Sequence, residues 1–349
     1  MRFSLRDLLV GVTVICVAFA LLMPVIQAAR EASRRMSCSN DFKQIGLAIH
    51  NYHSAFKHLP SGMSGTEANE HRLSGLIALT PFLEASVRWE TIMNPQTFGG
   101  VTFPSMGPVP WDTRYSPWCE NVGTLRCPSD DKVGTSLGRT NYAFCVADQI
   151  IGLYDAPSKD GTRGMFAPGH YVRFRDTTDG LSNTIMMAEI GTEDGRSVRG
   201  QFSLGHSKTL ADSPAKCVSQ LDPREPEQFA SDVTLSNLGR GGAYADGAGG
   251  YSLVHAILPP NAPSCAIGNQ APYEGVFSAG SYHLGGCHVL MGDGAVVFVT
   301  DSIEAGSAEK SSPRDISALT GSELRSPYGL WGALGTRAAE EIIEETLVY

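Results

Sequence analysis

Hydrophobic residues are concentrated near the start of the chain, where an uncharged run extends from Leu8 to Ile26. The run has nineteen residues, and at about 1.5 Å of rise per residue a helix of this length nearly crosses a hydrocarbon core of roughly 30 Å. The pattern therefore predicts a membrane-spanning helix. A cleaved secretory signal with its site at Ala28-Ala29 is the alternative interpretation, although the run is longer than a usual signal core.

Helical periodicity continues beyond the apolar run. Apolar side chains recur at steps of three and four residues, which is the spacing of one helix face, at Cys38, Phe42, Ile45, Ile49, Tyr52 and Phe56. Leu59-Pro60 then predicts the end of the helix, because the residue before a proline is displaced from the α region. The sequence thus predicts a transmembrane and stalk helix within residues 1–57 that lays this face on a globular head formed by residues 58–349.

The head is rich in turn-forming residues. The chain has 38 Gly and 20 Pro and only 18% charged residues, which is typical of loop-rich β structure. Two apolar runs, Cys287 to Met291 and Ala295 to Val299, flank Gly292-Asp293-Gly294, and Asp-Gly tolerates the positive φ of a tight hairpin turn. These patterns predict an α+β fold in which the long helix packs on an antiparallel β-sheet that includes this hairpin.

Composition and motif content exclude several functions. The formal net charge of -9 argues against nucleic acid as a partner, because phosphate binding needs a basic face. The sequence contains no Gly-x-Ser-x-Gly elbow, no His-Glu-x-x-His helix and no phosphate-binding glycine loop. It therefore predicts no cofactor and no catalytic residues.

The chain has eight cysteines, of which Cys16 lies within the apolar run. The other seven are an odd number, so at least one thiol stays free or pairs between chains. Matched Cys-x-x-Cys pairs are missing, which makes zinc a weaker interpretation than disulfides outside the cytoplasm. Several buried free thiols are the alternative.

Stretches throughout the chain resemble a known family. The similarity is to prepilin-like proteins catalogued as domain of unknown function 1559, and it is carried by Val25–His53, Leu125–Asp130, Thr140–Phe144, Trp331–Ala338 and the motif His-x9-Asp-Gly at His283, Asp293 and Gly294. The resemblance implies a type IV pilin-like or pseudopilin-like fold. It further implies a single-pass inner-membrane protein that associates with itself or with other pilin-like subunits through the N-terminal helix.

Charge and cysteine content indicate opposite orientations of the head. Arg2 and Arg6 precede the apolar run, whereas Arg30, Arg34 and Arg35 follow it. Counting Lys and Arg alone would place the head in the cytoplasm. The cysteines and the family resemblance favour export, so the predicted head lies outside the cytoplasm, in the periplasm or at the cell surface.

Residues Phe3 to Asp7 (FSLRD) resemble the prepilin processing signature, which has Phe-Thr-Leu-x-Glu at these positions. Arg2 replaces the Gly that precedes the cut, and Asp7 is shorter than Glu, so both departures argue against a prepilin peptidase. A carboxylate at the edge of the hydrocarbon needs a positive partner. In pilin assembly that partner is the amine of a neighbouring subunit, and here Arg2, Arg6 or the chain's own amine are alternatives.

His283, Asp293 and Gly294 are the strongest motif of the head. A hydrolase would need a nucleophile, a base and an orienting partner, and one His beside one Asp-Gly turn does not supply them. The favoured interpretation is a structural hydrogen bond that pins the hairpin. The predicted function is accordingly a non-enzymatic structural subunit of pilin or pseudopilin type, of the kind used in secretion or displayed on the cell surface.

Trp111, Tyr115 and Trp118 lie in a loop rich in Pro and Gly. Flat rings present apolar faces on which sugars can stack, so a carbohydrate- or peptide-binding (solute-binding) protein of the cell surface is the alternative function. Packing of the loop on the head explains the same residues and is the favoured interpretation.

Two further sets of residues are candidates for metal binding and for disulfides. Asp176, Asp179 and Asn183 offer oxygen ligands for calcium, but the spacing of a calcium-binding hand is missing, which favours turn and cap roles. Cys38 faces the head along the apolar seam, so a disulfide with Cys127 is expected to tie the helix to the head. Cys217 and Cys265 flank a loop-rich insertion and are candidates for a second disulfide, although nothing in the sequence fixes the connectivity.

Overall fold

The chain folds as a mixed α+β protein. Its structure, a computed structural model, describes residues 5–83, 85–132, 136–192, 195–269, 272–341 and 343, and within residues 5–18 it describes the side chains of 9, 11–14, 16 and 17 only. A long N-terminal helix packs on a head that contains antiparallel and mixed β-sheets. The fold class expected from the sequence is confirmed.

The described residues form seven α-helices and twelve β-strands, joined in many places by short 3-10 helices. The helices are α1 (Leu5–Phe56), α2 (Gly75–Leu79), α3 (Ser86–Met93), α4 (Ser116–Cys119), α5 (Ala215–Val218), α6 (Gly249–Ser252) and α7 (Gly329–Gly335). The strands are β1 (Met63–Ser64), β2 (Leu73–Ser74), β3 (Gln96–Phe98), β4 (Val101–Phe103), β5 (Tyr142–Cys145), β6 (Ile185–Glu189), β7 (Phe202–His206), β8 (Leu253–Val254), β9 (Ser264–Ile267), β10 (Gly275–Val276), β11 (Gly286–Met291) and β12 (Val296–Thr300).

Helix α1 has 52 residues, which corresponds to about 78 Å. It runs through Pro24 and ends at Phe56, and Lys57 then adopts a φ of 65° that takes the chain out of the helix. By length and composition it is the one helix among the described residues that could cross a membrane, a test that a signal sequence would also pass.

The two halves of α1 have different surroundings. In the C-terminal half the predicted apolar seam is buried in the head from Cys38 to Tyr52, with Cys38, Phe42, Ile45 and Ile49 fully buried and Tyr52 9% exposed. Its last predicted member, Phe56 at the end of the helix, is 54% exposed, so the prediction is wrong for that residue. In the N-terminal half every side chain that the structure describes up to residue 30 is exposed. The C-terminal half of α1 is therefore part of the core of the head, whereas its N-terminal half is an apolar helix that the head does not cover.

The main sheet has the strand order β12-β11-β6-β5-β8. Its neighbouring strands are antiparallel except for β5 and β8, which are parallel. β11 and β12 form the predicted hairpin, which pairs Gly286 with Thr300 and Leu290 with Val296. Gly294 in the turn has a φ of 90°, a conformation that favours glycine.

Both faces of the main sheet are covered. Side chains alternate between the two faces along each strand, and each set packs against a different helix. One face packs against the buried seam of α1 through Tyr142, Phe144, Met187 and Leu290. The other face packs against Trp331 and Leu334 of α7 through Ala143, Ala188 and Val289. The sheet is thus the middle layer between α1 and α7.

A smaller sheet of order β10-β9-β7 carries the second disulfide. Cys265 on β9 is bonded to Cys217 on α5, the pair named from the sequence. Among the described cysteines, Cys145 and Cys287 are buried free thiols, so the head contains both disulfides and the free thiols that were considered as the alternative.

Candidate functional site

His283, the histidine of the His-x9-Asp-Gly motif, lies between the head and α1. It precedes β11 and is 1% exposed. Its Nδ1 lies 3.0 Å from Oε1 of Glu31 on α1, and its Nε2 lies 3.6 Å from Oε1 of Glu189 on β6. The imidazole therefore connects a carboxylate of the helix to a carboxylate of the sheet.

Glu189 belongs to a row of side chains that crosses the main sheet. Tyr142 of β5 pairs with Glu189, and His288 of β11 pairs with Phe298 of β12. Glu189 Oε1 lies 3.0 Å from His288 Nδ1, and Glu189 Oε2 accepts a hydrogen bond from the backbone N–H of His288 at 2.8 Å. Because directly paired residues share a face of the sheet and Tyr142 packs with α1, the whole row faces α1.

Helix α1 presents Glu31, Arg35 and Cys38 to this row, at the spacing of four and three residues that places side chains along one helix face. The guanidinium carbon of Arg35 lies 3.4 Å from the centroid of the Phe298 ring. The carbonyl of Cys38 accepts a hydrogen bond from the Tyr142 hydroxyl at 3.2 Å. We call the following six residues the stalk–head junction: Glu31, Cys38, Cys127, Glu189, His283 and His288.

A disulfide closes the stalk–head junction. Cys38 is bonded to Cys127 across a sequence separation of 89 residues, and their Cα atoms lie 5.0 Å apart. This is the helix-to-head pair named from the sequence. The Sγ of Cys127 also lies 3.7 Å from Nε2 of His283, so the disulfide and the histidine are in contact.

Two of the family-like stretches, LRCPSD and TNYAF, hold Cys127 in place. Asn141 Oδ1 accepts a hydrogen bond from the backbone N–H of Cys127 at 3.0 Å, and Asn141 Nδ2 donates to Asp130 at 2.5 Å. The same amide donates to the carbonyl of Ile190, directly after β6, at 3.0 Å. These hydrogen bonds fix the Cys127 loop beside the strand that carries Glu189.

The charged groups of the junction stabilise one another. Burial would raise the pKa of Glu189, but hydrogen bonds from His283 and His288 outweigh burial and bring that pKa to about 2. Burial would lower the pKa of His283, but Glu189 and Glu31 outweigh it and raise that pKa above the usual value. Glu189 is therefore an ionised carboxylate at neutral pH, and the His283 imidazolium is favoured because it can donate to both carboxylates.

The junction also contains a set of groups that bind metals. One ligand atom each from Cys38, Cys127, Glu189 and His283 lies within 4.8 Å of the others, and all four residues are buried. The thiolate is the form of cysteine that ligates metals. While the two sulfurs are joined, neither is available for coordination.

The predicted hydrogen bond between His283 and Asp293 is wrong. His283 precedes β11 and Asp293 follows it, and the six residues of this strand span about 20 Å. Asp293 Oδ1 instead accepts a hydrogen bond from the backbone N–H of Ala295 at 2.9 Å. The Asp-Gly pair, with Gly294, shapes the hairpin turn, whereas the histidine belongs to the stalk–head junction at the other end of the strand.

The structure also contradicts an aromatic stacking platform. Tyr115 is fully buried and Trp118 is 1% exposed, and their ring centroids lie 4.9 Å apart in the core. Trp111 is 42% exposed, and its ring faces the guanidinium of Arg72 at 4.7 Å. Two of the three rings are thus used for packing, as the favoured interpretation of this loop expected.

The calcium candidates are used as caps. Asp176 accepts a hydrogen bond from the backbone N–H of Arg173 at 2.9 Å, and the Asp179 carboxylate accepts two from backbone N–H groups of residues 339–340 at 2.7 and 2.9 Å. Asn183 donates to the carbonyl of Asp179 at 3.3 Å. These contacts correspond to the turn and cap roles that the sequence favoured for all three residues.

The two candidates for processing and assembly are placed only in part. Phe3 lies outside the described residues. Asp7 belongs to α1, but its side chain lies outside the described part of the chain. Their roles stay predictions.

Sequence reasoning missed Glu31, Glu189 and His288. Glu189 gave a usable signal, because it is a charge at the end of the apolar run Ile185–Ala188, and a carboxylate in a buried strand needs partners. His288 stands in a similar apolar run. Nothing in the sequence around Glu31 distinguishes it from an ordinary exposed helix residue.

The fold and the junction define an α+β protein with a long apolar N-terminal helix whose C-terminal half is cross-linked to the head. A family model described as protein of unknown function (DUF1559) matches residues 27–306, and the chain belongs to this family, as the resemblance predicted. The matched region contains the whole stalk–head junction. No curated protein and no solved structure matches the chain.

Proposed function

We propose that this protein is a membrane-anchored, non-enzymatic structural subunit of pilin-like type whose head is displayed outside the cytoplasm. The observation that carries the proposal is the division of α1 into an exposed apolar half and a half buried in the head. Apolar side chains such as Leu21 and Val25, 69% and 63% exposed, are costly in water and stable in hydrocarbon. In this proposal the lipid bilayer surrounds the apolar half of α1, which the head leaves uncovered.

The two disulfides support a head outside the cytoplasm. Cys38–Cys127 and Cys217–Cys265 are bonds of a kind that persists in oxidising compartments and is rare in the cytosol. The excess of Lys and Arg after the apolar run points the other way, but Arg35 is engaged with Phe298 of the head. We therefore give the disulfides more weight than the count of basic residues.

The contacts of His283 support a structural role. Both imidazole nitrogens face protein groups, Glu31 on one side and Glu189 and Cys127 on the other. A catalytic histidine needs contact with a substrate, and this one is 1% exposed. Holding the stalk on the head is the function that its contacts allow.

Subunit association would use the side of α1 that faces away from the head. Met36 and Leu47 on that side are 68% and 63% exposed, although both lie beyond the apolar run. Helices pack through such side chains when another helix covers them. Further copies of this chain, or other pilin-like subunits, are the partners that we propose.

The orientation is tested with one exposed cysteine in the full-length chain. In a Cys16→Ser/Cys119→Ser background, Val87→Cys places a thiol at a head position that is 76% exposed. A small maleimide that does not cross the inner membrane should label intact cells, and carbonate washing should leave the protein in the membrane. Labelling only after the inner membrane is permeabilised would place the head in the cytoplasm, and release by carbonate would exclude a permanent anchor.

Association is tested with Leu47→Cys in the same background. A short bis-maleimide should cross-link this variant in membranes, whereas Val87→Cys, which is similarly exposed but lies on the head, is the matched control. Cross-linking of the control alone, or of neither variant, would contradict association through α1.

The alternative of solute binding loses two of its three stacking residues, because Tyr115 and Trp118 are buried in the core and only Trp111 stays exposed. A cavity of about 640 Å³ lies beside α3 and α4. Two charged residues, Arg88 and Glu120, line the cavity. The Arg88 guanidinium donates to the carbonyls of Pro117 and Glu120, both at 3.0 Å, and lies 3.3 Å from the Glu120 carboxylate. Since this guanidinium serves the walls of the cavity, we do not favour solute binding there.

A further inference from the structure

We infer that the stalk–head junction binds one zinc-class divalent cation when Cys38 and Cys127 are in the dithiol state. The inference rests on the side chains around the disulfide and does not depend on the proposed structural function. The site would join three groups of the head, Cys127, Glu189 and His283, to one group of the stalk, Cys38.

The positions of the ligand atoms fit a tetrahedral ion. Zinc lies about 2.3 Å from a thiolate and about 2.0 Å from an imidazole nitrogen, so its ligand atoms are about 3.5 Å from one another. His283 Nε2 lies 3.7 Å from Cys127 Sγ and 3.6 Å from Glu189 Oε1. Cys38 completes the set within 4.8 Å, and cleavage of the S–S bond lets the two sulfurs move apart to tetrahedral spacing.

The surrounding hydrogen bonds have the arrangement that metal sites use. Histidine ligands bind the metal with one nitrogen and donate the N–H of the other to a carboxylate or carbonyl. Glu31 lies 3.0 Å from Nδ1 of His283, which leaves Nε2 to face the sulfurs. Glu189 is oriented in turn by Nδ1 and the backbone N–H of His288, at 3.0 and 2.8 Å.

Charge balance favours a cation in the dithiol state. Reduction leaves two thiols in a buried space beside the Glu189 carboxylate, and a bound divalent ion lowers the thiol pKa until both sulfurs are thiolates. The two positive charges of the ion then balance the two thiolates, while the Glu189 carboxylate keeps its contacts with Nδ1 and the backbone N–H of His288.

The Cys38–Cys127 disulfide can be reduced and formed again by thiol–disulfide exchange. A dithiol reductant exchanges with Cys38–Cys127, so that the reductant becomes a disulfide and the protein gains two thiols. Zinc binding then releases the two thiol protons and, where His283 is an imidazolium, the proton on its Nε2 as well. In the reverse direction an external disulfide oxidises the two zinc-bound thiolates to the Cys38–Cys127 disulfide. The external disulfide takes up two electrons and two protons and becomes two thiols. The ion leaves without changing its oxidation state. Zinc would therefore hold the stalk on the head in a chain whose disulfide has not yet formed.

The second disulfide is a control within the same chain. Cys265 Sγ has the Ser203 hydroxyl at 3.1 Å, and in the described residues the Cys217–Cys265 pair belongs to no group of metal ligands. Reduction of this pair should create no zinc site.

The test uses the full-length chain in detergent, with zinc and cobalt as probes. Chain reduced with a phosphine, incubated with Zn²⁺ and desalted should retain about one zinc per chain by mass spectrometry of the metal, whereas oxidised chain should retain none. Cobalt in place of zinc should give thiolate-to-metal charge-transfer absorption. Cys38→Ser/Cys127→Ser should abolish both signals, and Cys217→Ser/Cys265→Ser should leave both unchanged.

Conservative variants separate coordination from folding. Glu31→Gln, which removes the carboxylate behind His283 at a partly exposed position, should weaken zinc affinity by about tenfold or more, and His283→Gln should weaken it further, with near-ultraviolet circular dichroism confirming the fold of each. The inference is overturned if reduced chain retains no more zinc than oxidised chain. It is also overturned if cobalt shows no thiolate band, or if Glu31→Gln and His283→Gln both bind zinc as the unmodified chain does.

Discussion

The carboxylate of Glu31 on α1 lies 3.0 Å from Nδ1 of His283, although 252 residues separate them along the chain. Cys38, about two turns further along α1, is bonded to Cys127 of the head. These two contacts, one polar and one covalent, lie on the same face of α1. Together they fix the axial position and the rotation of the helix relative to the sheet. The family motif histidine is thus part of what joins the stalk to the head.

Loss of the first disulfide should loosen the stalk. In oxidised chain, Cys38→Ser opens a loop of 89 residues and should lower the free energy of unfolding by about 2 to 4 kcal/mol, measured by urea unfolding in detergent. Trypsin cleavage at Lys43 of α1 should become faster. Cys217→Ser, which opens a loop of 48 residues, is the control. It should lower the free energy of unfolding by a similar amount without faster cleavage at Lys43. Equal cleavage rates in the two variants would contradict the role of the junction.

The close approach of α1 to the hairpin depends on Gly46. A Cβ at this position would lie 3.0 Å from Cδ1 of Leu290, so Gly46→Val should force the helix and β11 apart and destabilise the protein by about 1 to 3 kcal/mol. Thermal unfolding is the measurement. Leu47→Val, on the exposed side of the same turn, should change stability by less than about 0.5 kcal/mol, and an equal effect of both changes would contradict this packing.

Asp41 should make stability depend on pH. Burial raises the pKa of Asp41 to about 7, against a hydrogen bond with Tyr142 and with a smaller contribution from the charge of Glu189. The folded state therefore binds this proton more tightly than the unfolded state. Its contribution to the unfolding free energy is fully present below about pH 4 and is lost as the pH rises through about 7.

Asp41→Asn should flatten that part of the curve, because the amide stays neutral at every pH. Melting temperatures measured between about pH 4 and pH 8 should fall less in this variant than in the unmodified chain. Asp232→Asn, at an exposed position, should keep the original slope. Parallel curves for Asp41→Asn and the unmodified chain would show that Asp41 is not the group responsible.

Trp118 and Trp111 should respond differently to truncation. Trp118→Ala removes a side chain that is 1% exposed and should cost about 3 to 5 kcal/mol, whereas Trp111→Ala, at 42% exposure, should cost much less. Urea unfolding measures both. If Trp111→Ala folds normally yet abolishes binding to a glycan array, the solute-binding alternative returns.

The fold elements could be predicted where the signal is local. The α1 seam follows from spacings of three and four residues, and the β11–β12 hairpin follows from two apolar runs around Asp293-Gly294. Cys38 could be placed on the buried face of α1 for the same reason, which made Cys127 a reasonable partner. In each case the residues that carry the pattern are close in sequence.

By itself, then, the sequence determined the long helix, the side of that helix that is buried, the hairpin and its turn, because backbone propensity and side-chain periodicity act over a few residues. Only the tertiary structure decided that His283 bonds to Glu31 and Glu189 instead of Asp293, and that Tyr115 and Trp118 are buried. Those outcomes depend on which strands become neighbours and on where α1 crosses them. Such contacts join residues far apart in the chain, and no short stretch of sequence encodes them.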